Sequence, residues 1–252
     1  MPLCMKTLGL IPARYASTRL PGKPLCDING KPMVQWVYES ASRALDLVYV
    51  ATDDDRIAEA VRSFGGKVVM TSAQHDNGTS RCLEAMDILQ SADQLSFDVV
   101  VNIQGDEPML ESALLQSLTA CFDDPSVEMS TIVSPVRDSR DLLNESEAFV
   151  VLDIHHNALY FSRSVIPFVK DIKRSNWLDS VPFYRHLGLY AYTVQALRDF
   201  QKMGPSFLEQ AEKLEQNRWL QNGRKIRCAI AESESVPVDT EMDLARVRQL
   251  LR

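Results

Sequence analysis

A short apolar run, Leu8-Gly9-Leu10-Ile11, leads through Pro12 into a loop that carries Arg14, Arg19 and Lys23. The run reads as a buried strand, and Pro12 as its end, because proline removes a ladder donor. The loop then sits at the C-terminal end of a first strand, the edge where open α/β sheets bind ligands. Its spacing, R-x4-R-x3-K with Pro21-Gly22 ahead of the lysine, suits a polyphosphate. Arginine grips phosphate oxygens bidentately, and the backbone at Gly22 can approach them closely. On charge alone, a solvated basic loop is the alternative. Lys23 is followed by Pro24, so this is no Walker loop, and no G-x-G-x-x-G occurs. ATPase and dinucleotide readings lose their support accordingly.

Past this loop the chain reads as alternating helices and strands. Val34, Val37, Tyr38 and Ala41 repeat at helical spacing, Val48–Ala51 is a second strand, and Thr52–Asp55 caps a helix to about Phe64. Gly65-Gly66 ends that helix before a third strand, Lys67–Met70. A βαβαβ run with short connections means a parallel sheet with right-handed crossovers. The polar stretch Thr71–Arg81 then lies on the same sheet edge as the first loop. Its Asn77-Gly78-Thr79 suits a base or ribose, or else an ordinary turn before a helix from about Arg81 to Leu89. Phe97–Ile103 is the strongest buried strand and runs into Gln104-Gly105-Asp106-Glu107-Pro108. Asp106 is placed to hold a metal at the ligand crevice, and Asp106-Glu107 also suits the cap of a helix from about Leu110 to Phe122.

Beyond the strand Met129–Val133 the pattern changes. Short apolar runs at Val150–Leu152 and Ala158–Phe161 flank His155-His156-Asn157, a hairpin signal, with the two histidines read as an exposed turn. Residues 134–190 are predicted to form an antiparallel insertion within a single 252-residue domain. Leu208–Leu220 reads as one helix in which Leu208, Ala211 and Trp219 share a face with Glu215, while Glu209 lies away from it. An acid on an apolar face needs a partner, which gives Glu215 either a core arginine (Arg163 or Arg185) or a polyol ligand. A strand at Ile226–Ala231 and a last helix capped by Asp239 or Thr240 complete the chain.

Composition narrows the partners. A net charge of −7 argues against nucleic acid or an anionic membrane surface. No apolar run approaches a membrane span, and the start lacks a signal-peptide core, which predicts a cytoplasmic protein. The five cysteines, 4, 26, 82, 121 and 228, are scattered and form no CxxC, consistent with reduced thiols.

The segments IPARYASTRLPGKPL, ATDDDRI, GGKVVMTS, NGT, VNIQGDEP, ALYFSR, RHLGLYAY, LEQ and VDT occur in that order. Together they resemble the 3-deoxy-manno-octulosonate (Kdo) cytidylyltransferases over about residues 6–252. The resemblance implies a nucleotide-diphospho-sugar transferase-like (Rossmann-like) fold, a mostly parallel sheet flanked by helices with an inserted antiparallel dimerisation sheet. It implies CTP and Kdo as substrates, Mg²⁺ dependence and a homodimer. By motif match, Arg14, Arg19 and Lys23 would contact the triphosphate. Asn77, Gly78 and Thr79 would lie by the cytidine, and Asp106 and Asp239 would ligate Mg²⁺. Gln104, Arg163, His186, Tyr190, Glu215 and Gln216 would line the sugar-acid pocket, Arg163 facing the carboxylate. The chain departs from the family pattern at Ser80, where an acid is usual, at Phe149, where lysine is usual, and at Pro237, where glycine is usual. An 8-amino analogue or a sialic-acid-type acid is the nearest alternative acceptor, and a non-catalytic nucleotide-binding homologue is a further one.

Overall fold

The computed structural model describes residues 5–16, 19–75, 77–92, 95–144, 147–233 and 236–251. Cys4, one of the five expected thiols, lies outside them. The first half alternates β1 (Thr7–Ala13), β2 (Asp27–Ile28), β3 (Lys31–Pro32), α1 (Met33–Ala44), β4 (Leu47–Thr52), α2 (Asp55–Ser63), β5 (Val68–Met70), α3 (Gly78–Ala92) and β6 (Val99–Asn102). It continues with α4 (Ser112–Ala120), β7 (Met129–Pro135), β8 (Phe149–Leu152), β9 (Ala158–Ser162), β10 (Tyr184–Thr193), α5 (Val194–Lys202), α6 (Phe207–Glu212), α7 (Asn217–Gln221), β11 (Arg227–Ile230) and α8 (Glu241–Leu250).

The main sheet runs β11-β7-β10-β6-β1-β4-β5. β1, β4, β5 and β6 pair in parallel, as do β7 and β11, whereas β10 enters antiparallel between β6 and β7. Period-two alternation splits each strand between the two faces. Leu8, Leu10 and Val100 pack with Cys82, Met86 and Leu89 of α3. Ile11, Val99 and Val101 pack on the other face with Val37 of α1, Ile57 of α2 and Leu115 of α4. Each such buried aliphatic side chain contributes about 1.5–3 kcal/mol, so the central strands hold the edge loops rigidly.

Several expectations need correction. Pro12 does not end β1, which pairs with β4 as far as Ala13↔Thr52. The carbonyl of Leu10 accepts from Ile103 N–H on the β6 side. Pro12, two residues on, points its missing donor to that same side, where pairing with β6 stops at Leu10↔Asn102. The α3 helix begins at Gly78 rather than Arg81, because Asn77 Oδ1 accepts from Ser80 N–H at 2.8 Å and closes the first turn early. Neither Asp106 nor Glu107 caps α4, whose N-cap is Glu111.

The expected helix over 208–220 is two helices, broken at Lys213, which adopts a left-handed φ of 54°. The break exposes Ala211 and turns Glu209 inward onto Arg218, with Nε to Oε2 at 2.7 Å. Glu215 therefore pairs with neither Arg163 nor Arg185; it accepts from Thr79 Oγ1 at 3.0 Å.

The hairpin is present as β8–β9, with His155 and His156 exposed in its turn. The far boundary of the expected insertion, at 190, falls inside β10, a single strand that pairs with β8 at Tyr184 and with β6 at Tyr190. Phe149 is buried against Val136, Leu142, Trp177 and Phe183, the last two stacked at 5.9 Å. An apolar residue at 149 thus supplies core to this part of the fold, where a lysine would be buried without water.

Candidate active site

A cleft of about 390 Å³ opens at the C-terminal ends of β1 and β6. Arg14, Arg19, Lys23, His75, Asn77, Gly78, Arg81, Gln104, Gly105, Asp106 and Asp239 line it. A larger hollow of about 700 Å³ runs along α3 but holds none of these cations. The polar cleft is therefore the candidate site.

At its centre Lys23 Nζ lies 2.7 Å from Asp106 Oδ2 and 2.9 Å from Asp239 Oδ1, and Arg19 reaches Asp239 at 3.0 Å. The backbone explains this meeting of residues over 200 positions apart. Gly22 adopts φ +68°, and its N–H donates to Tyr15 O at 3.0 Å, folding the loop back before the turn Lys23–Leu25. Gly105 lies so close to β1 that a Cβ there would stand 3.1 Å from Pro12 O. Val238 N–H donates to Asp106 O at 2.9 Å, which brings Asp239 alongside Asp106. Val238, Leu244 and Val247 pack with Leu20 and Ile28, so α8 anchors both the loop and the second carboxylate. Thr240 caps α8 in a capping box with Asp243, leaving the Asp239 carboxylate to the cleft. Burial opposes the charge on Lys23, but Asp106 and then Asp239 outweigh it and hold the ammonium above the ordinary lysine value.

Five residues of the expected sugar-acid pocket converge on a second wall. β10 shifts register against β7 between His186 and Tyr190, a bulge that re-aims both side chains. Gln104 Nε2 donates to Gly188 O in that bulge at 3.2 Å. The His186 and Tyr190 rings lie 5.2 Å apart, and Tyr190 O–H donates to Gln216 Oε1 at 3.0 Å. Glu215 Oε1 and Gln216 Nε2 are buried without a hydrogen-bond partner. Buried polar atoms of this kind are costly unless a ligand or water meets them. Burial pushes the Glu215 carboxyl up. The Thr79–Glu215 bond joins this wall to the Asn77-Gly78-Thr79 turn. Arg163 lies elsewhere: it lines a separate cavity with Phe149 and Trp177, and its Nε donates to Glu212 O at 2.9 Å.

A family model of cytidylyltransferases matches residues 8–226. The chain belongs to the cytidylyltransferase family. It is 49% identical over 98% of both chains to a protein of Parabacteroides distasonis named 3-deoxy-manno-octulosonate cytidylyltransferase. It is 47% identical, over 96% of its own length and 97% of the other's, to a Shewanella frigidimarina protein named 8-amino-3,8-dideoxy-manno-octulosonate cytidylyltransferase. The solved structure of a CMP:2-keto-3-deoxy-manno-octonic acid synthetase complexed with CTP superposes with a TM-score of 0.89, at 38% identity over 98% of each chain.

Two lining residues of this cytidylyltransferase carry no signal in the sequence. Arg81 is buried, with Nη1 2.7 Å from Thr71 Oγ1 and 2.9 Å from Asp53 Oδ1. Asp53 thus pairs with a residue of the cleft while Asp54 caps α2, accepting from Arg56 N–H at 3.0 Å. His75 is the other. The TDDD run hides the first, since any of its acids suits a cap, and no local pattern marks the second.

His186 carries a pH prediction. Thr131 Oγ1 donates to Leu189 O at 2.6 Å and so accepts from His186 Nε2, 2.8 Å away. Enclosed by Thr131, Phe161 and Tyr190, the imidazole is pushed down to about 3 by desolvation. The unfolded chain binds this proton near pH 6.5 and the folded chain only near 3. The stabilising contribution is therefore complete above about pH 6.5 and is lost as pH falls toward 3. With allowance for partial solvent access, wild type is expected to lose about 1–2 kcal/mol more than His186→Gln between pH 7 and 5. Urea unfolding of both proteins at the two pH values checks this, and equal losses would refute it.

Proposed function

We propose that this cytidylyltransferase transfers CMP from CTP to the anomeric hydroxyl of Kdo, giving CMP-Kdo and pyrophosphate. One observation carries the proposal: Lys23, Asp106 and Asp239 meet in a cleft that Arg14 and Arg19 also line, beside a wall of unpaired polar atoms. The names of the relatives supply the acceptor.

In this reading Arg14, Arg19 and Lys23 bind the triphosphate and offset the repulsion between two anionic reactants. The acceptor hydroxyl forms the new bond to the α-phosphorus and releases its proton to solvent as the bond from the α-phosphorus to the bridging oxygen breaks and pyrophosphate leaves. Positioning and charge carry chemistry of this type. Asp106 and Asp239 fit a Mg²⁺ site. They are hard oxygen donors already drawn together around one cation, Lys23. Among the described residues no group of three or more metal-binding side chains occurs. Mg²⁺ binds through one or two carboxylates plus substrate phosphates, and Asp106 and Asp239 would supply the two carboxylates. Bound there, Mg²⁺ supplies Lewis-acid stabilisation of the charge on the phosphates. Asn77, Gly78 and Thr79 are assigned to the cytidine; Gln104, His186, Tyr190, Glu215 and Gln216 are assigned to the sugar acid. Arg163 remains the proposed partner of the acceptor's carboxylate, which requires the turn at 163–165 to approach the cleft.

A homodimer is proposed through the inserted part, where Leu143, Ile154, Leu159 and Phe168 are all exposed. Among the described residues no helix is long and apolar enough to cross a membrane. A cytoplasmic location is part of the proposal.

The test is pyrophosphate release with CTP and Mg²⁺ in the presence of Kdo, 8-amino-Kdo or N-acetylneuraminate, with EDTA as control. Release with Kdo, abolished by EDTA, is expected, and the same preparation should elute at twice the chain mass. Release with the amino analogue alone would establish the second reading, which the 47% identical relative favours. CTP binding without release from any acid would indicate a non-catalytic homologue.

A further inference from the structure

Phe161 of β9 touches the second wall of the site through its ring, which packs edge-on against His186 with centroids 5.0 Å apart. Its backbone is used for something else. Among the described residues β9 has β8 as its strand partner, and side chains take the place of a strand along its other edge. Asn217 Nδ2 donates to Phe161 O at 2.9 Å, and Phe161 N–H donates to Asn217 Oδ1 at 3.4 Å. Alternate residues of a strand send their N–H groups to the same edge. Arg163 N–H accordingly donates to Glu212 Oε2 at 2.9 Å. Ser162 Oγ and Tyr160 O–H donate to the other oxygen of that carboxylate, at 2.7 and 3.0 Å.

The two side chains that cover this edge bracket part of the wall. Glu212 ends α6 and Asn217 begins α7. Glu215 and Gln216 sit in the turn between them, after the left-handed Lys213. The aim of Glu215 and Gln216 is therefore set by how the turn is anchored at its ends. Asn217 is 0% exposed and spends a donor and its acceptor on one residue's backbone. Its two predecessors differ: Glu215 Oε1 and Gln216 Nε2 are buried with no partner. Asn217 is committed to the strand, whereas the residues it anchors keep polar atoms for a ligand.

We propose that Asn217 and Glu212 are positioning residues for the sugar acid. They use the outer edge of β9 as a template that aims Glu215 and Gln216 and holds the Arg163 turn beside them. This rests on the assignment of these three residues to the sugar acid above. It implies that loss of either anchor is felt by the sugar acid far more than by CTP. The triphosphate residues lie on other elements: Arg14, Arg19 and Lys23 follow β1, Asp106 follows β6, and Asp239 precedes α8.

The experiment compares wild type with Asn217→Leu, Glu212→Gln, Glu215→Gln and the double variant Asn217→Leu/Glu215→Gln. It measures kcat and KM for Kdo and for CTP in pyrophosphate release, with thermal unfolding to check folding. Asn217→Leu keeps a side chain of similar size and loses both bonds to Phe161. It is expected to raise KM for Kdo roughly tenfold and KM for CTP by less than about twofold. Glu212→Gln keeps the shape and loses the charge, and should raise KM for Kdo about threefold with the same split. The double variant should show less than the product of its two single effects, because both act on one contact. Equal rises in the two KM values overturn the proposal, since general loosening of the fold acts on both substrates. An unchanged KM for Kdo in Asn217→Leu overturns it too, as do effects that multiply fully in the double variant. If Asn217→Leu does not fold, the split in Glu212→Gln decides. Wild type that binds CTP but does not use Kdo would instead count against the functional reading on which the inference rests.

Discussion

Lys23→Met is expected to lower turnover roughly a thousandfold and to reduce Tm by about 3–6 °C when no Mg²⁺ is present. Methionine keeps an unbranched side chain of nearly the same length and removes the ammonium, with both its charge and its N–H donors. The Lys23 side chain is 15% exposed, and its ammonium bonds both Asp106 and Asp239. Without it two carboxylates that the backbone forces together face each other, with Arg19 on Asp239 the remaining cation in bond. Loss of one partner from a fully buried pair costs about 3–5 kcal/mol. These acids keep 29% and 36% of their surface, so about 1–2 kcal/mol is the discounted figure. Adding Mg²⁺ without nucleotide should restore most of the lost Tm, and should stabilise the variant more than wild type, because the ammonium no longer competes for the carboxylates. Thermal unfolding of both proteins, with and without Mg²⁺, measures this. An unchanged Tm in the metal-free variant would show that the contacts of Lys23 carry no stability. An equal Mg²⁺ response in the two proteins would remove the metal from this pair of acids.

Asp106→Asn is expected to fold normally and to lose at least about a hundredfold in kcat. Asparagine is nearly isosteric, and its carbonyl oxygen still accepts from Lys23, so the loop should keep its place. The backbone bond from Val238 N–H to Asp106 O does not involve the side chain. What disappears is a negative charge, and with it the affinity for a hard cation. Steady-state kinetics over a Mg²⁺ series should show a raised metal requirement together with the lower kcat. Full turnover at ordinary Mg²⁺ would exclude Asp106 as a metal ligand.

The elements most legible in the sequence are those whose signal is local. The strands around Val50, Val69 and Val100 stand within a residue or two of their predicted places, because buried strands need continuous apolar runs. The failures came where distant contacts override a local signal. Lys213 breaks a helix whose apolar spacing looked continuous, and Glu209 turns inward to Arg218. Pro12 remains in a strand because pairing with the neighbour β6 stops two residues earlier, at Leu10. Arg81 was unreadable as a site residue because the acid it pairs with, Asp53, lies on another connection of the sheet.

By itself the sequence determined the alternating α/β order, the cationic loop after the first strand, and the carboxylate after the fourth parallel one. Residue pattern suffices for these, since strand, helix and loop chemistry act over a few positions. Only the tertiary structure decided that Asp239, over 200 residues from Lys23, shares its ammonium with Asp106. It alone placed Arg163 in a different cavity and engaged both nitrogens of His75 within its own loop and helix. Charge pairing acts through space, and the backbone path that brings the partners together is set by packing of the whole sheet and its helices.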